Sequence, residues 1–189
     1  MLHGTHPFET WLDGLNGRHR QFFDVGAMNN GAPLRRIHQY VDSYTRAYAL
    51  ADQDVSTLFG AHGNGLPFVL ADAIWERFEL GKRHGVIDPT TSRPATRNVF
   101  LAPDASTRRG LVALEASITR LQARGVRFLA CNNTIDAWAQ ELSRGDKARE
   151  AGVRKELIDG LIPGAMLVPA MLVAGNRAQE VGFAYAFLA

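Results

Sequence analysis

The sequence has a single cysteine among its 189 residues. An internal disulfide is therefore excluded, and cysteine usage gives no sign of a disulfide framework. No apolar run reaches the ~18 residues of a membrane-spanning helix, so no membrane partner is expected. Charge of one sign is also missing, with 21 basic against 19 acidic residues and a net charge of +2. Such a balance argues against nucleic acid and anionic lipid as partners. The opening Met-Leu-His-Gly-Thr-His-Pro-Phe lacks the basic and apolar regions of a secretion signal. The expected compartment is cytoplasmic, with periplasmic as the alternative if a signal has been removed. Internal repeats and low-complexity tracts are absent too. The glycine-rich Gly60-Ala-His-Gly-Asn-Gly65 lacks the Lys-Ser/Thr of a phosphate-binding loop and the spacing of a dinucleotide fingerprint, and reads as a tight turn.

What is present is a core's worth of apolar residues, 46% of the chain, at the length of one ordinary domain. The most informative stretch is Arg124 to Gln140. Val126, Phe128, Leu129 and Ala130 form a short apolar run, the pattern of a parallel strand covered on both faces. Ile135, Trp138, Ala139 and Leu142 then recur at helical spacing, and Asn132-Asn133-Thr134 between them offers cap chemistry in a polar turn. Cys131 thus falls at the carboxyl end of a strand, beside a helix amino terminus. Ligands bind along that edge of open α/β sheets, and a helix amino terminus favours thiolate over thiol.

Elsewhere the pattern alternates. Residues 1–19 carry Trp11, Leu12 and Leu15, consistent with a short helix lying on the body. Gln21 to Val25 reads as a first strand, followed by a helix with Leu34, Ile37, Val41, Tyr44 and Tyr48 on its apolar stripe. Val55 to His62 reads as the second strand, and Leu66, Leu70, Ile74 and Phe78 as one further helix. Residues 81–105 form a long proline-rich loop with a short strand at Val99 to Leu101; a loop of that length is a lid, a contact segment or mobile. Thr107 would cap a helix bearing Leu111, Leu114, Ile118 and Leu121. Arg144 to Lys155 is a solvated helical face, Met166 to Ala170 a strand ending at Pro169, Met171 to Glu180 a helix, and Phe183 to Leu188 a last strand. The alternation predicts a three-layer α/β domain over 1–189, with strands kept parallel by βαβ crossovers. Parallel strands would bring His62 and Cys131 to the same rim of the sheet.

Four pieces in order carry a family resemblance. Gly125-Val-Arg-Phe-Leu-Ala-Cys131-Asn-Asn-Thr, Leu161-Ile-Pro-Gly-Ala-Met-Leu-Val-Pro169, Ala178-Gln-Glu-Val-Gly182-Phe-Ala-Tyr185 and Ala61-His62-Gly63 resemble segments of the DsrE/DsrF-like superfamily, including its YchN-like branch. The resemblance implies a three-layer sandwich with a mostly parallel five-stranded sheet, assembled as a homo-oligomer, trimer or hexamer. Some members of that superfamily relay sulfur as a persulfide on a cysteine placed as Cys131 is here. The chain differs from compact members by the N-terminal extension 1–19 and the 81–105 insertion.

Cys131 is therefore the candidate catalytic residue, with the bland alternative of a buried small apolar side chain. His62 could orient a ligand, act as a base or donate to a sulfur anion, or else be a structural histidine. Gly63, Asn132, Asn133 and Thr134 complete the candidate ligand-binding set, with amide donors for a sulfur anion. Two ligands on one rim fall short of the three or four that zinc requires, so no metal is expected. His3 and His6 are terminal and signal no site, and no cofactor is expected. The expected function is a persulfide carrier or sulfurtransferase working with a sulfur donor or acceptor protein or a small ligand. The alternative is a non-catalytic binding or assembly module with a pocket at a subunit interface.

Overall fold

A computed structural model describes residues 7–102 and 112–188. Its centre is a five-stranded parallel sheet. The strands are β1 (His19–Ala27), β2 (Val55–Asn64), β5 (Arg127–Cys131), β6 (Met166–Val168) and β7 (Ala184–Leu188), in the order β6-β5-β2-β1-β7. A two-stranded antiparallel hairpin, β3 (Ile87–Asp88) and β4 (Arg93–Pro94), stands apart. The fold is α/β, with helices on both faces, as the alternation predicts.

Helix α1 (Ala32–Ala47) follows β1 and buries Leu34, Ile37 and Val41 at the expected spacing. Gly31 opens it at φ +78, a backbone state glycine reaches without a Cβ penalty. Tyr48 closes the helix but stands 68% exposed, so it leaves the apolar stripe assigned to it. The one helix read over Leu66 to Phe78 is three pieces. They are a 3-10 turn at Leu66–Val69, α2 (Asp72–Arg77) and α3 (Leu80–Arg83). Pro67 lies in the first piece, Leu70 bridges to Leu161, and Glu79 takes a left-handed φ of 49. Each event interrupts the i→i−4 ladder.

The segment from residue 81 is organised rather than bare as far as residue 102, where the described part ends. It holds the end of α3 and the β3–β4 hairpin, and its Asn98 side chain donates to the carbonyls of Pro67, Phe68 and Leu70 at 3.3, 3.0 and 2.9 Å. Val99 and Phe100 are buried in turns, not in a strand. Asp88 anchors the hairpin: burial raises its carboxyl, but the Thr90 amide and the Arg97 guanidinium outweigh that and hold it below the usual range. Thr107 and Leu111, like His3 and His6, lie outside the described residues. Helix α4 (Ile118–Ala123) is capped instead by Ser117, whose Oγ accepts from the Arg120 amide.

Helices α5 (Asn132–Leu142) and α6 (Lys147–Asp159) follow β5. Although largely solvated, α6 buries Val153 and Leu157. Helix α7 (Met171–Glu180) joins β6 to β7. The strand order explains the layers. From β1 through β2 and β5 to β6 the sheet grows in one direction, and the last crossover returns to the far side of β1. Right-handed crossovers then set α7 on the opposite face from the other helices.

The packing follows that division. One face carries Phe23, Val25, Phe59, Phe128 and Ala130 against residues of α1, α2, α4, α5 and α6. The other carries Phe22, Leu58, Leu129, Cys131 and Val168 against α7 and Trp11 of the 3-10 segment Pro7–Leu12. Among the described residues the second face is thinly covered, by one ten-residue helix and a single 3-10 segment. Leu172, Val173, Tyr185 and Phe187 remain 82, 51, 42 and 55% exposed. Of the alternating Phe183, Tyr185 and Phe187, Phe183 is buried at 4%, and the other two lie on the thin face only partly covered.

Candidate functional site

The site grows from the carboxyl ends of three neighbouring strands. Alternation along β2 sends Phe59 and Ala61 to the α5 side and Leu58, Gly60 and His62 to the α7 side. Along β5, Phe128 and Ala130 go to the α5 side, and Leu129 and Cys131 to the α7 side. Ala61 pairs with Ala130 across these two strands. The ladder ends at that pair, and β2 breaks register beyond Ala61; alternation still gives His62 the face that Cys131 occupies at the end of β5.

Cys131 is 4% exposed and packs in the cluster with Leu129, Val168 and Met171. It occupies the N-cap position of α5 with extended backbone angles, and no side chain caps the helix. The polar turn expected at Asn132 to Thr134 is not there. The helix begins at Asn132, and these three residues form its first turn. Thr134 accepts from the Gly63 amide at 3.2 Å, tying the end of β2 to the start of α5. Asn133 is exposed. The acidic Asp136, which would oppose a thiolate, is neutralised by Arg154 at 2.6 Å and receives the Asn132 amide at 2.9 Å. Arg154 also donates to the side-chain Oδ1 of Asn132 at 2.6 Å.

His62 has company on the other side. Its Nε2 lies 2.8 Å from Oδ1 of Asp24 on β1, whose side chain is 6% exposed. Tyr185 on β7 donates its hydroxyl to the other oxygen, Oδ2, at 2.5 Å. Burial and this bond push the Tyr185 phenol up to about 12, so it stays a donor at neutral pH. The Nε2 proton direction falls off the line to Oδ1, and neither atom has any hydrogen-bond partner. Glycines make the space: a Cβ on Gly60 would sit 2.4 Å from Met171 Sδ, and one on Gly26 3.4 Å from His62 Cε1. Phe187 flanks the imidazole, with ring centroids 6.3 Å apart.

Sequence reading singled out Cys131 and His62 but not Asp24 or Tyr185. A signal existed for Asp24. It is a lone acid inside the apolar run Phe22-Phe23-Asp24-Val25, and a carboxylate there needs a partner.

The opposite side of the same rim holds a hollow of about 640 Å³, lined by Asn29, Asn64, Arg83, His84 and Glu141. Arg83 pairs with Glu141 at 2.5 Å and lies over Trp138, and His84 stacks on the same indole at 5.5 Å. Burial first, and then Arg83, push His84 below the ordinary imidazole range. Neither Cys131 nor His62 lines this hollow. Among the described residues, no group of three or more His, Cys, Asp or Glu side chains could hold a metal ion, and no helix is long and apolar enough to cross a membrane.

No protein-family model matches the chain, and no curated protein matches it. A similar solved structure is that of a protein of unknown function, MTH1491 from Methanobacterium thermoautotrophicum. It is 18% identical over 90% of this chain and 99% of the other, with a TM-score of 0.48.

Proposed function

We propose that the protein handles sulfur of the persulfide kind, with Cys131 as acceptor and His62 as its acid–base partner. One observation carries this reading: the only thiol and an imidazole backed by a buried carboxylate end adjacent parallel strands on one face. The DsrE-like sequence pieces support it as well. In the proposed step the Cys131 thiol gives its proton to His62, and the thiolate attacks the outer sulfur of a donor persulfide. The donor's sulfur–sulfur bond breaks as the new one forms. The donor leaves as a thiolate and recovers the proton from the imidazole. No electrons are gained or lost overall, and no cofactor enters. The amino terminus of α5 favours the anionic sulfur at both stages.

Burial sets a condition on this chemistry. Cys131 is enclosed, and a donor reaches it only when its cover moves. Met171, in the same cluster, is the side chain suited to that, being unbranched and readily repacked. The test is to incubate the protein with a low-molecular-weight persulfide and weigh it. A gain of about 32 Da that is absent in Cys131→Ser supports the relay. A thiol inert to both persulfide and alkylating agent contradicts it.

The same burial favours a second reading, in which Cys131 only lines a binding module and the rim holds a small ligand without chemistry. An intact site on unreactive sulfur is what that reading requires. Either way, assembly as a trimer or hexamer is proposed, supported by the exposed apolar side chains of α7 and β7 on the thin face. Light scattering at micromolar concentration that returned a monomer would remove the assembly.

A further inference from the structure

Two of the three buried side-chain atoms that lack a hydrogen-bond partner among the described residues face each other. Asp24 Oδ1 and His62 Nε2 are both buried, and both lack a hydrogen-bond partner. They stand 2.8 Å apart. A buried polar atom left unsatisfied costs on the order of 1–3 kcal/mol, so a small turn of the ring that brings Nε2–H onto the line to Oδ1 removes two such costs at once. A carboxylate can only accept; the proton must therefore belong to the imidazole. Tyr185 occupies Oδ2 and fixes which oxygen remains for His62. The imidazole as a whole is 30% exposed although its Nε2 is buried, so its exposure lies on the rest of the ring.

We infer that Asp24 locks His62 in the Nε2–H tautomer, leaving the Nδ1 lone pair as the proton acceptor of the rim, and that Tyr185 fixes the carboxylate for that task. Asp24 and Tyr185 are positioning residues, since they act through His62. The inference rests on the proposed function for the identity of the proton donor, a thiol. The tautomer itself is independent of any sulfur chemistry. The chain spans three adjacent strands, β7, β1 and β2, so the rigid sheet sets its geometry.

The arrangement makes Asp24→Asn unusually informative. The Tyr185 hydroxyl still needs an acceptor, so the amide oxygen turns to it. The amide NH₂ then faces His62 and donates to Nε2, which moves the imidazole proton to Nδ1. A carboxylate-to-amide change of this sort, made beside a catalytic histidine, gives a wrong tautomer with little change of shape.

The experiment is long-range nitrogen–proton correlation NMR on the full chain, labelled with ¹⁵N at histidine. Spectra are taken near pH 8.5, about two units above ordinary imidazole titration, and His62→Gln identifies the resonance. The expected results are an Nε2–H tautomer in the wild type and in Tyr185→Phe, and an Nδ1–H tautomer in Asp24→Asn. In parallel, persulfide loading of Cys131 should slow by roughly 10²- to 10⁴-fold in Asp24→Asn, the range of general-base catalysis. A wild type in the Nδ1–H form overturns the inference, and this holds even if Asp24→Asn fails to fold. A folded Asp24→Asn that keeps Nε2–H overturns it as well. The expected tautomers with no persulfide on any variant uphold the lock and defeat the sulfur reading alone.

Discussion

The two sides of the sheet's carboxyl rim divide room from reactivity. On the α5 side lies a wide hollow with an arginine–glutamate pair, a neutral-leaning histidine and two carboxamides. Beneath it is the thick core, where Phe59 stacks on Phe128 at 4.6 Å. On the α7 side the cover is thin, and yet the thiol, the imidazole, the buried acid and the phenol are all there. The strand order produces this asymmetry. Three crossovers load helices on one face, and a single return crossover leaves the other to α7. The face with less packing is the one that can open, because exposing it breaks fewer buried contacts. That cavity is thus a poor guide to the chemistry in this molecule.

The sharpest way to break the comparison is to weaken each face in turn. Phe128→Ala on the thick side should cost about 3–5 kcal/mol, read by denaturant unfolding. A loss below about 1 kcal/mol would mean that the α5 side does not carry the stability assigned to it. Cys131→Ser on the thin side should cost about 1–3 kcal/mol, from a hydroxyl placed in apolar packing, and should leave a folded protein without persulfide.

Acidity should separate the sides by sign and range. His84 has its folded value pushed below the unfolded one of about 6.5, so the unfolded chain takes up the proton first. Its contribution is present above about pH 6.5 and fades as pH falls toward the lower folded value. Asp88, also held low, contributes above about pH 3.9 and is lost only as pH falls through its own folded value. Thermal unfolding between pH 7 and 5 should therefore decline less in His84→Gln than in the wild type. Parallel curves would remove the burial argument for His84. The smallest effect is expected from Leu172→Glu on the thin face. With its side chain 82% exposed, the monomer should lose less than about 0.5 kcal/mol, while any oligomer built on that face should dissociate. Unchanged mass would move the assembly surface elsewhere.

Much of this was legible in the residues. Apolar runs at Phe22, Leu58 and Leu129 mark the strands, and parallel crossovers bring His62 and Cys131 to one rim without any knowledge of distances. Two features escaped because their causes are tertiary. The helix read through Leu66 to Phe78 keeps a helical period, but Leu70 leaves it to bridge Leu161, which is 91 residues away. The loop read over 81–105 looks unstructured by composition, yet the Asn98 carboxamide pins it to three carbonyls. Tyr185 was legible only as part of an alternating aromatic edge; its hydroxyl matters because Asp24, 161 residues earlier, lies on the strand next to it. The acid was visible in its apolar strand, and its partners were not.

The account stands or falls on the thiol and the imidazole sharing one hollow on the thin face. The most direct measurement is the rate of Cys131 alkylation against pH in the wild type and in His62→Ala, under conditions where both are folded. The account predicts measurable reaction in the native wild type and a slower, pH-shifted reaction when the imidazole is gone. Equal rates in the two proteins, or alkylation that proceeds only as fast as global unfolding, would contradict it.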